Sequence, residues 1–139
     1  MTSPEGDSTA DTAEILIVDD NPQNLKLARV VLEHEGYRVR TATNGDEALR
    51  LVDACKPRLI LMDLQLPGLD GLSLTRQLKA DPVNRDIQVI ALTAYAMKGD
   101  EERARAAGCD GYLAKPVDID NLAAMVGASL AREARPVKE

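Results

Sequence analysis

Arg58-Leu59-Ile60-Leu61-Met62-Asp63-Leu64-Gln65-Leu66-Pro67-Gly68 is the stretch that decides the fold. Its apolar run, introduced by Lys56-Pro57, reads as a short strand buried on both faces, the pattern of parallel sheets. The run is too brief for a helix, and Pro67-Gly68 punctuates it soon afterwards. A carboxylate stands where the run stops. In open parallel sheets, ligands sit in the crevice outside the carboxyl ends of the strands. Asp63 is therefore expected on a rigid element, half in water, where a reactive group belongs. A lone Asp at a strand end is more often a turn former or a helix cap. The rest of the chain has to decide between these readings.

Working outward, the same pattern recurs. Ile15-Leu16-Ile17-Val18 is a buried-strand run ending in Asp19-Asp20, and Asn21-Pro22 follows, with Pro suited to a first helical position. Leu25, Ala28, Val31 and Leu32 recur at helical spacing until Gly36 offers a left-handed cap. Tyr37 to Ala42 is a more polar strand, expected at a sheet edge, and Asn44 to Cys55 a helix with Ala48, Leu51, Val52 and Cys55 on one face. Beyond the Asp63 strand, a helix from about Asp70 to Lys79 turns Leu74 and Leu78 inward, and Asp81-Pro82 breaks it. Val89 to Leu92 is a buried strand ending in Thr93-Ala94. Gly99 to Ala107 is a polar helix stopped by Gly108, and Gly111 to Leu113 is a last short strand closing on Lys115-Pro116. Asp118 is placed to cap a final helix with an apolar stripe of Ile119, Leu122, Ala123, Val126 and Leu130. Residues 1–13 read as a disordered tail and 133–139 as a polar C-terminal tail, around one domain at 14–132.

Five strands alternating with five helices predict an α/β sheet wound on both faces. Strand order 2-1-3-4-5 is one common solution, which periodicity alone does not select. With 139 residues, 45% of them hydrophobic and 29% charged, the chain can bury a real core as one domain. The net charge of −6 argues against direct nucleic-acid binding and against anionic membranes. Cys55 and Cys109 lack metal-binding or redox spacing and read as small buried thiols. No stretch has the length of a membrane span or the pattern of a signal peptide, so the expected location is the cytoplasm.

Parallel strands bring Asp19, Asp20, Asp63, Thr93 and Lys115 to one edge of the sheet. Each has an ordinary explanation, but jointly those explanations require a coincidence at four strand ends. Clustered carboxylates repel, and a hard dication removes the conflict. Mg²⁺ takes oxygen ligands and typically joins one or two carboxylates to a phosphate. With a hydroxyl and an ammonium able to hold phosphoryl oxygens, the chemistry suggested is phosphoryl transfer to a carboxylate.

The chain resembles the receiver domains of two-component response regulators over roughly 14–132. The marks are Ile17-Val18-Asp19-Asp20-Asn21, Leu61-Met62-Asp63 through Pro67-Gly68-Leu69-Asp70-Gly71, Ala91-Leu92-Thr93-Ala94 and Tyr112-Leu113-Ala114-Lys115-Pro116. Ala96 to Arg103 is most similar to single-domain regulators of the DivK type and to receivers of hybrid kinases. The resemblance implies a flavodoxin-like fold, with Asp63 as phosphoryl acceptor. Asp20, Asp63 and the backbone carbonyl of Gln65 would hold Mg²⁺, with Asp19 acting through a metal-bound water. Thr93 and Lys115 would bind the phosphoryl group, Tyr112 would be the aromatic switch, and the Lys115-Pro116 bond would be cis. It also implies a histidine kinase or histidine phosphotransfer protein as donor. A downstream protein would meet the face formed by the fourth helix, fifth strand and fifth helix. The chain would be a monomer or a weak, phosphorylation-linked dimer.

Other readings are a receiver cut from a hybrid histidine kinase, an aspartyl phosphatase and a flavin-binding protein. The phosphatase lacks a second acid two residues beyond the nucleophile, where Gln65 stands. A flavin protein would want a phosphate-cradling loop where Asp19 and Asp20 repel. His34 belongs to the last turn of the first helix, where a cation suits the dipole, and is far from the carboxylates.

Overall fold

The computed structural model describes residues 14–64, 71–93, 99–114 and 118–134. Its elements run β1 (Glu14–Val18), α1 (Pro22–His34), β2 (Arg38–Ala42), α2 (Gly45–Ala54), β3 (Leu59–Asp63), α3 (Gly71–Ala80), β4 (Gln88–Thr93), α4 (Asp100–Ala107), β5 (Gly111–Ala114) and α5 (Ile119–Ala134). The strands form one parallel sheet in the order β2-β1-β3-β4-β5. This is the expected doubly wound, flavodoxin-like architecture.

Side-chain alternation along the strands sorts the core into two layers. Ile15, Ile17, Leu59, Leu61, Ile90 and Leu92 face Leu25 and Leu32 of α1 and Leu122, Val126 and Leu130 of α5. Leu16, Val18, Ile60, Met62, Val89 and Ala91 face Ala48 and Val52 of α2, Leu74 and Leu78 of α3 and Ala104 of α4. Covering both faces explains why β3 is buried at every position, whereas β2, at an edge, alternates exposed and half-buried residues along most of its length.

Local chemistry sets the helix ends. Asn21 caps α1, its side chain accepting from the N–H groups of Gln23 and Asn24, and Pro22 fills the first turn. Asn44 accepts from the Glu47 N–H while the Glu47 carboxylate reaches back to Thr43 N and Oγ1, a reciprocal capping arrangement for α2. Asp118 accepts from Asp120 N–H at the start of α5, as expected. Gly36 and Gly108 take left-handed conformations at φ 97° and 112° and end α1 and α4.

Some expectations are corrected. Ile119 is 49% exposed and lies off the buried stripe of α5. That helix runs through Ala134. Cys109 is buried as expected, but Cys55, at the C-terminal end of α2, is only partly so. The tail segments 1–13 and 135–139 lie outside the described residues. No helix among the described residues is long and apolar enough to cross a membrane.

Candidate functional site

Strand register brings the chemistry together. Val18 pairs with Met62, so Asp19 leaves β1 level with Asp63 at the end of β3. Asp63 pairs with Leu92, which puts Thr93 one step beyond it, and Thr93 in turn pairs with Ala114. The backbone holds this edge closed, with Asp19 N–H donating to the Ala42 carbonyl at 3.0 Å and Leu64 N–H to the Leu92 carbonyl at 2.9 Å.

Asp19, Asp20 and Asp63 converge until one carboxylate oxygen from each lies within 4.8 Å of the others. The fold therefore maintains an electrostatic conflict that a bound cation relieves. Mg²⁺ takes hard oxygen ligands, and this set of carboxylate oxygens suits that ion. The residues present fit the metal.

Burial divides the three acids. Asp63 is 2% exposed and Asp19 1%, while Asp20 is exposed. The expectation that Asp63 stands half in water is thus corrected: the strand carries it into the sheet edge, under its neighbours. One oxygen of Asp19 already accepts the Asn21 N–H at 2.9 Å, which steadies the turn out of β1. Asn21, and neither Asp, caps α1, so the ordinary explanation of the Asp19-Asp20 pair as a helix cap falls away. The Asn-Pro dipeptide carried that signal in the sequence.

Thr93 is fully buried at the end of β4. Tyr112 is half-buried and packs against the core layer under α2, α3 and α4. Its ring is therefore partly out of water, and any movement of it begins from there rather than from solvent. His34 is exposed in the last turn of α1, at the opposite edge of the sheet. Gln65, Lys115 and the Lys115-Pro116 bond lie outside the described residues.

Sequence reasoning gave Gly71 no role of its own. In the structure the start of α3 presses on the end of β3 at Gly71, where a side chain would collide with the Asp63 carbonyl oxygen and Leu64. The contact in space reveals this, whereas in the sequence Gly71 figures only among the residues of the family resemblance.

Residues 15–127 match the response regulator receiver domain model. The chain is 50% identical over 105 residues to the polar-differentiation response regulator DivK of Brucella anthropi, covering 76% of this chain and 85% of that protein. The corresponding protein of Brucella ovis is 49% identical over 108 residues, covering 78% and 88%. Among solved structures, a putative response regulator from Chloroflexus aurantiacus superposes with a TM-score of 0.83 at 33% identity, covering 87% of this chain and 99% of that one. The receiver domain of the sensor histidine kinase PA1611 from Pseudomonas aeruginosa, solved with a magnesium ion coordinated in its active-site cleft, gives 0.79 at 39% identity, covering 86% and 98%.

Proposed function

From its membership of the response regulator receiver family, we propose that this chain is a single-domain regulator that accepts a phosphoryl group on Asp63. The observation that carries the reading is the convergence of Asp19, Asp20 and Asp63 within 4.8 Å at the edge that also holds Thr93. A histidine kinase or histidine phosphotransfer protein is the donor class with which receivers interact.

In the reaction, a carboxylate oxygen of Asp63 attacks the phosphorus of a phosphohistidine. The P–N bond breaks, and the imidazole leaves with its electron pair. Mg²⁺ bound here would offset the negative charge gathering between acceptor and phosphoryl oxygens. Asp20 and Asp63, with the carbonyl of Gln65, are its proposed ligands. Asp19, one oxygen already engaged by Asn21, would act through a water. Thr93 would donate its hydroxyl to a phosphoryl oxygen, and Lys115, which follows β5 in the sequence, would be the cation for another.

The same protein catalyses its own phosphorylation and dephosphorylation and turns over no separate substrate. Phosphorylation adds charge and strong acceptors beside Thr93, drawing its hydroxyl toward them and letting the half-buried Tyr112 ring move further in. The surface of α4, β5 and α5 then changes and meets a downstream protein partner. The magnesium in the PA1611 receiver, and a DivK relative of which this chain covers 85%, support the metal and the single-domain reading. The reading places the protein in the cytoplasm.

The test is transfer of label from a phosphorylated histidine phosphotransfer protein, combined with NMR using a beryllofluoride phosphate mimic. Labelled wild type with amide shifts reaching Tyr112 and α4 supports the reading. Shifts confined to the loops around Asp63 contradict the route to that surface.

A further inference from the structure

We propose that Thr75 and Lys79 of α3 are positioning residues for phosphoryl acceptance, which make that helix a brace between the backbone of Asp63 and the corner where α4 meets β5. This role rests on the phosphoryl-acceptor reading of Asp63 and gives the site a route to the α4–β5 surface separate from Thr93 and Tyr112.

Gly71, Thr75 and Lys79 recur every four residues, so they form one stripe along α3. At about 1.5 Å per residue the stripe is about 12 Å long, and it runs from the carboxylate edge of the sheet to the opposite edge. Each turn of it meets a different part of the fold. At the first, Gly71 lies so close to β3 that a Cβ there would stand 2.5 Å from the Asp63 carbonyl oxygen. At the second, the fully buried Thr75 hydroxyl donates to the Gly71 carbonyl at 2.8 Å and accepts the Cys109 thiol at 3.9 Å. At the third, Lys79 Nζ donates to the Ile87 carbonyl at 2.7 Å and to Asp110 Oδ2 at 2.9 Å. Its stem runs against Gly108, the residue that ends α4, where a Cβ would stand 2.6 Å from Lys79 Cγ.

Neither end of the stripe has slack. The near end meets β3 through backbone atoms, and the far end is packed on Gly108 and hooked to Asp110. Close-packed elements transmit a displacement and do not absorb it. A shift of the Asp63 backbone on occupation of the site therefore moves Gly71, and α3 carries the movement to the end of α4 and the start of β5. Coupling between two sites is reciprocal. Loosening the stripe therefore changes affinity at Asp63, although neither Thr75 nor Lys79 belongs to the carboxylate cluster. A threonine that only satisfies its hydroxyl within its own helix would have no such effect.

The test titrates beryllofluoride, in saturating Mg²⁺, into isotope-labelled protein. NMR follows the amides of Leu64, beside the acceptor, and of Val89, whose N–H donates to Asp110 Oδ2 at 2.9 Å. In the wild type both should shift with one midpoint. Thr75→Val, which keeps the shape and removes the hydroxyl, should weaken beryllofluoride binding about two- to tenfold and shrink the Val89 shift. Thr75→Ser, which keeps the hydroxyl and loses a methyl, should restore both. Should Thr75→Val fail to fold, Lys79→Met decides, with Leu64 still responding and Val89 silent. A silent Val89 in the wild type would overturn the proposal. So would wild-type behaviour of folded Thr75→Val, impairment of Thr75→Ser equal to that of Thr75→Val, or a responding Val89 in Lys79→Met. Loss of the Leu64 response in the wild type would overturn the reading of Asp63 and the brace with it.

Discussion

A methyl group built on Gly71 would stand 2.5 Å from the carbonyl oxygen of Asp63 and 2.9 Å from the Leu64 Cα. Both obstacles are backbone, so neither can rotate away. Gly71→Ala is expected to push α3 off the end of β3 and to destabilise the fold by about 1–3 kcal/mol, the usual cost of overpacking. It should also weaken metal binding at the displaced Asp63. Urea denaturation and a metal titration measure the two effects. A variant with wild-type stability and affinity would show that the contact relaxes freely.

At the opposite edge, Lys79 Nζ donates to Asp110 Oδ2 at 2.9 Å and to the Ile87 carbonyl at 2.7 Å, and the same Asp110 oxygen accepts Val89 N–H at 2.9 Å. Asp110 thus ties the α4–β5 corner to both α3 and β4. Asp110→Ala should cost about 1–2 kcal/mol because the Val89 amide loses its acceptor and the Lys79 ammonium loses its counter-ion, keeping only backbone carbonyls. Lys79→Met, which keeps the packing stem, should cost less. Equal losses in the two variants would contradict this ranking.

The thiols provide a pH test. Burial pushes the Cys109 thiol above its ordinary value of 9.0, partly opposed by its hydrogen bond to Thr75. Burial and Glu35 push Tyr37 above 10.0. Both groups hold their protons more tightly when folded, so stability is fully present below their unfolded values and falls as pH rises beyond them. Thermal melts should decline from about pH 9 upward, and Cys109→Ala should delay the decline until Tyr37 titrates. Alkylation of native protein should reach the partly exposed Cys55 well before Cys109. A flat alkaline profile, or faster labelling of Cys109, would count against this account of its burial.

Much of this was legible in the chain because each strand is a short apolar run ending in a polar residue. The runs at Ile15–Val18, Leu59–Met62 and Val89–Leu92 placed Asp19, Asp63 and Thr93 before any coordinates. The burial of Asp63 was not legible, since it depends on what surrounds a strand end in space. The same holds for Ile119, whose helical spacing matched the stripe but whose place in the first turn of α5 leaves it outside. Gly71 stood at the start of the expected third helix with no role of its own, and its distance to Asp63 gives it a steric one.

The metal reading separates side chain from backbone. Asp20→Ala should weaken Mg²⁺ binding far more than Gln65→Ala, because the proposed Gln65 ligand is a carbonyl that survives truncation. Removing one of three converging charges should also stabilise the metal-free protein, by up to about 1 kcal/mol for an exposed acid. Equal losses in a titration of both variants would contradict the coordination scheme.

The most direct measurement is the intact mass of the purified chain after incubation with acetyl phosphate and Mg²⁺, beside its Asp63→Asn variant. The account predicts that the wild type gains one phosphoryl group, labile in base and dependent on the metal. The variant, folded by circular dichroism but lacking the anionic nucleophile, should gain none. Undiminished phosphorylation of folded Asp63→Asn would place the acceptor elsewhere and contradict the account.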